Sequence, residues 1–78
     1  MDIRFEMEKK LYLRYELQKL CAHMMTRRRE IRGKQVHPAN EEAKQKIMAR
    51  YNLDIMEMTG EINMLEDEIY NLQRRQYP

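Results

Sequence analysis

From Met48 to Leu72 apolar side chains recur at spacings of three and four residues without a break: Met48, Tyr51, Ile55, Met58, Ile62, Leu65, Ile69 and Leu72. A half-buried strand alternates every second residue. A 3-4 alternation instead holds a narrow apolar stripe on one side of a long helix that packs along another helix. A shorter stripe upstream, Leu13, Leu17, Leu20 and Met24, with Ile31 after a polar gap, marks a second helix. Between the two, Gly33-Lys34-Gln35-Val36-His37-Pro38 has no periodicity and ends on proline. The chain therefore reads as a single domain over residues 1–78, with a helix over about 3–32, a loop over about 33–38 and a helix over about 39–75. Asp2 is placed to cap the first helix. Gly33 sits where a helix end favours a left-handed residue, and Pro38 suits the first turn of the second helix, where its missing N–H costs nothing. Asn40 is a competing cap, and Glu41 and Glu42 suit the positive end of the helix dipole.

These elements predict an all-α fold, an antiparallel two-helix coiled-coil hairpin. Folding back at the loop sets residue i opposite roughly residue 72 − i for closely packed antiparallel helices. That register brings Glu61, Glu66, Asp67 and Glu68 alongside Arg4, Lys9, Lys10 and Arg14. Other apolar residues lie off the two stripes: Met7, Leu11, Ala22 and Met25 upstream, Leu53, Met56 and Met64 downstream. A hairpin covers one stripe per helix, and an enclosed Leu or Met is worth about 1.5–3 kcal/mol. Met7, Leu11, Met25, Leu53, Met56 and Met64 are therefore the expected interface to a second copy, giving a homodimeric four-helix bundle, or to a protein partner. Gly60 is a weak point in the second helix, on the face away from the seam.

Composition narrows the classes. The chain has 78 residues, with 36% charged side chains, two Gly, two Pro, no Trp and eight Met, as long exposed helices do. A domain this small gains from a staple or a partner. An intramolecular disulfide is excluded, since Cys21 is the single cysteine. That lone cysteine and the lack of a secretory signal predict an intracellular, cytoplasmic protein, and no apolar run approaches the ~20 residues of a membrane span. The net charge of +2 conceals an asymmetry: residues 1–34 hold ten Lys and Arg against five Asp and Glu, whereas residues 35–78 hold five against eight. The two halves attract, which favours their pairing.

Candidate chemistry is sparse. Arg27, Arg28, Arg29, Arg32 and Lys34 crowd the end of the first helix. There they complement the helix dipole and could also contact an acidic protein surface or the phosphates of RNA or DNA. No aromatic side chain interleaves with them to stack on bases. Cys21 and His23, two apart on a helix, point about 200° from one another, and His37 is isolated in the loop, so no metal site is expected. Cys21 is expected to be a small packed apolar residue. The chain has no serine, no nucleophile–base arrangement and no cofactor motif, so no enzymatic activity and no cofactor are expected. Tyr70 and Tyr77, off the seam near the end of the second helix, form a secondary docking candidate.

These features predict a small non-enzymatic interaction module, a regulator, inhibitor or adaptor of the kind phages and mobile elements encode. A nucleic-acid-binding hairpin is the alternative, in outline similar to dimeric helical-hairpin plasmid copy-control proteins, an analogy of architecture. A coiled-coil spacer is the third reading.

Overall fold

Asp2 opens the fold as a helix cap. Its carboxylate accepts the Arg4 N–H at 2.9 Å and its carbonyl the Glu6 N–H at 3.1 Å, satisfying donors that the first helical turn leaves free. The computed structural model describes residues 2–76; Tyr77 lies outside them. Helix α1 (Ile3–Gly33) leads through a short connection and a 3-10 turn (Pro38–Asn40) into helix α2 (Glu41–Gln76). The two helices pack side by side as a hairpin, a rod of 59 × 17 × 14 Å, and among the described residues there is no strand.

The loop differs in detail from expectation. No described glycine has a positive φ, so Gly33 supplies no left-handed cap and is simply the last residue of α1. The helix end is closed otherwise. Lys34 is extended and its N–H donates to the Ile31 carbonyl at 3.2 Å. From α2, the Lys44 ammonium donates to the carbonyls of Arg32 and Lys34 at 3.2 and 2.9 Å. Carbonyls that a left-handed cap would have satisfied are thus reached by a side chain. His37 caps the 3-10 turn, its Nδ1 accepting the Ala39 N–H at 3.0 Å. Pro38 takes the first position of that turn, and Asn40 ends it rather than capping α2.

The downstream stripe is the seam of α2. All eight of its members are buried or half-buried, and Ile55, Leu65 and Ile69 belong to the core. On α1 the expected stripe is rotated. Leu13 and Leu20 stay 47% and 49% exposed, while Cys21 is enclosed at 6%. The positions of α1 turned inward are Met7, Lys10, Arg14, Leu17, Cys21, Met24, Arg28 and Ile31. They too run 3-4 without a break, with three cations among them. Long Lys and Arg stems cover apolar surface while their charged heads reach outward, and this lets the cations occupy seam positions.

The register also differs. Lys10 binds Glu68 and Arg28 binds Asn52, so paired positions add to 78 and 80 and residue i lies opposite roughly residue 79 − i. That is one heptad further than the pattern suggested. A slip of seven residues returns the same faces to the seam, so periodicity cannot select between the two registers. The 3-10 turn and the start of α2 lie past the end of α1, and this moves the centre of the pairing. Of the anticipated charge pairs, the described residues form Lys10–Glu68 at 2.5 Å.

Candidate functional site

Each residue turns a helix by about 100°, so side chains beside the seam fall on one of two flanks. The Lys10–Glu68 ion pair crosses one flank and the Arg28–Asn52 hydrogen bond, 2.9 Å, crosses the other.

On the Lys10–Glu68 flank α1 carries an apolar groove. Leu13, Leu17 and Leu20 form its floor, with Glu16, Lys19 and His23 along its rim. The groove is lined by α1 alone, and the register sets Glu61 of α2 at its level. Asp54 is held by Arg50 at 3.3 Å and Glu68 by Lys10, whereas neither Glu16 nor Glu61 forms an ion pair among the described residues. The Glu68 hydrogen bond raises the Lys10 pKa above 10.5, its burial opposing and the charges of Glu68 and Glu6 adding to the effect. The groove is therefore apolar at its base, with charges of both signs, Glu16 and Lys19, on its rim. Sequence reasoning named its three leucines but assigned them to the intramolecular seam.

The Arg28–Asn52 flank has a different character. Leu11 and Met25 of α1 and Met56 of α2 lie on it, interspersed with uncharged polar residues. Of the six residues expected to form a second interface, these three share a flank. Met7 is half-buried in the seam, and Leu53 and Met64 project from the outer side of α2, away from α1. The six do not make one continuous surface.

The basic tip is divided. Arg28 is half-buried and engaged by Asn52. Arg27 pairs with Glu30 at 3.2 Å while remaining largely exposed. Arg29, Arg32 and Lys34 are exposed, but Arg27 and Arg29, two apart on a helix, point about 200° from each other. The sequence brings five cations together; the helix distributes them around its circumference. Tyr70 is exposed, with Arg74 5.8 Å above its ring.

Cys21 is enclosed in the seam and His23 stands on the groove rim. Among the described residues no cluster of three or more His, Cys, Asp or Glu is arranged to hold a metal ion, and no helix is long and apolar enough to cross a membrane. Arg14, which the sequence sets among the flanking cations beside the acids of the second helix, is instead a seam residue. Half-buried at a seam position, it has an enclosed Nε without a hydrogen-bond partner among the described residues. The signal was available: eight apolar seam positions on α2 require eight facing positions on α1, and the run through Arg14 is the one that supplies them. No protein-family model, curated protein or solved structure matches the chain.

Proposed function

We propose that this chain is a non-enzymatic interaction module that receives a helix from a protein partner in the groove of α1, acting as a regulator, inhibitor or adaptor. The observation that supports this reading is the exposure of Leu13 and Leu20, nearly half accessible on either side of Leu17. Two leucines one heptad apart with a third between them form a floor into which an amphipathic helix sets its apolar ridge. Glu16 and Lys19 on the rim favour a partner helix that carries charges of both signs beside that ridge, and such complementarity sets orientation and on-rate more than affinity. A cytoplasmic setting fits the unpaired cysteine.

Affinity capture from native lysate tests this with two variants beside the wild type. A specific protein should be retained by the wild type, lost with Leu13→Glu/Leu20→Glu, and kept with Arg27→Ala/Arg29→Ala. A catch indifferent to the leucine pair contradicts the reading. The exposed cations at the tip support a second reading, nucleic-acid binding through Arg27, Arg29, Arg32 and Lys34. That reading expects bulk RNA or DNA to be lost with the arginine variant, through binding that weakens steeply as salt rises.

A further inference from the structure

The accessible surface of the hairpin is 6474 Å². A compact monomer of 9.7 kDa exposes roughly 5100 Å² by the usual scaling of area with mass. The excess, on the order of 1400 Å², is more than what a specific interface removes from one partner, about 800 Å². A long side of this rod, 59 by 17 Å, is large enough to supply it.

The flank crossed by Arg28–Asn52 is the one suited to self-association. Its central α1 residues, Leu11, Tyr15, Gln18, Ala22 and Met25, carry no charge. Of the α2 residues beside them, Met56, Thr59 and Asn63 are likewise uncharged, while Glu66 and the Arg28 guanidinium bound to Asn52 stand towards the two ends. Tyr15, Met25 and Met56 are exposed. The opposite flank carries the Asp54–Arg50 and Glu68–Lys10 ion pairs together with Glu61, and stacking it on a copy of itself would take those charges out of water.

We infer that a second copy of this chain docks on the flank crossed by Arg28–Asn52, antiparallel, about a two-fold axis at Gln18. The α1 sequence is self-complementary about that point. Leu11 and Met25 are each seven residues from Gln18, so each meets the other in the partner. Tyr15 then lies over the partner's Ala22, a ring against a methyl group. Glu8 comes opposite the partner's Arg29, and symmetry makes each contact twice. On α2 the same axis passes level with residue 61, bringing Thr59 to the partner's Asn63 and Met56 to the partner's Glu66. The dimer is a four-helix bundle whose two α1 grooves remain open. This inference does not rest on the partner-docking reading, because it concerns the purified chain alone.

Sedimentation equilibrium of the full-length protein tests it, with circular dichroism as the check on helicity. The wild type should be dimeric at micromolar concentration. Glu8→Arg and Arg29→Glu should each weaken dimerisation by roughly tenfold, since two symmetric ion pairs are lost. Combining the two reversals should restore it. Met25→Glu, at an already exposed position, should give a helical monomer. A monomeric wild type overturns the inference. So does a dimer broken by Leu13→Glu but not by Met25→Glu, or charge reversals that do not compensate one another.

Discussion

Ile69 is the most enclosed of the four core side chains, 3% exposed. Truncating a buried isoleucine typically costs about 2–5 kcal/mol, a large share of what a small domain possesses. Ile69→Ala should therefore lower the thermal midpoint sharply or abolish cooperative melting, as followed by circular dichroism. Arg14 leads to the opposite expectation. Its enclosed Nε has no hydrogen-bond partner among the described residues, and the register sets it level with Leu65 between Ile62 and Ile69. Replacing an unsatisfied seam cation with an apolar residue of similar length removes a desolvation penalty, so Arg14→Met should raise the melting midpoint by the equivalent of about 1 kcal/mol; a fall would mean that the guanidinium makes a bond essential to the fold. Lys10 carries a pH signature. Because its folded pKa is raised above 10.5, the stabilisation it gains from folding is complete below that value and is lost only as pH climbs through the folded pKa. Denaturant midpoints should thus show no Lys10-dependent change through the neutral range, and Lys10→Met should remove only an alkaline decline.

At the level of elements, α2 was legible because its eight seam positions are all apolar, leaving one way to orient the helix. α1 was not, because Lys10, Arg14 and Arg28 interrupt its seam while Leu13 and Leu20 stand just beside it. Hydrophobicity alone draws the stripe through the leucines and rotates the helix by a fraction of a turn. The register escaped for a different reason, since a seven-residue slip preserves every face and only the loop geometry and the Lys10–Glu68 and Arg28–Asn52 contacts distinguish the alternatives. The Arg28–Asn52 flank was partly legible through Leu11, Met25 and Met56, while the groove became visible only once Leu13 and Leu20 were released from the seam. Gly60 gives a prediction at this scale. It lies mid-helix, and a Cβ built there meets nothing within 4 Å. Gly60→Ala should stabilise α2 by about 0.5–1 kcal/mol, seen as a higher melting midpoint. A lower one would indicate that another helix approaches the backbone closely at that point.

For the whole molecule, the hairpin presents two different flanks along one rod. The seam joins α1 to α2; we propose the Arg28–Asn52 flank as the surface for a second copy and the groove on the opposite flank as the seat of a partner helix. Each assignment depends on which residues of α1 face which residues of α2, and hence on a register that places residue 10 beside residue 68. Cysteine pairing reads that register directly. In a Cys21→Ala background, Lys10→Cys with Glu68→Cys should oxidise rapidly to an intramolecular disulfide, while Lys10→Cys with Glu61→Cys should not. Preferential closure of the 10–61 pair, or bonds formed only between chains, would contradict the account.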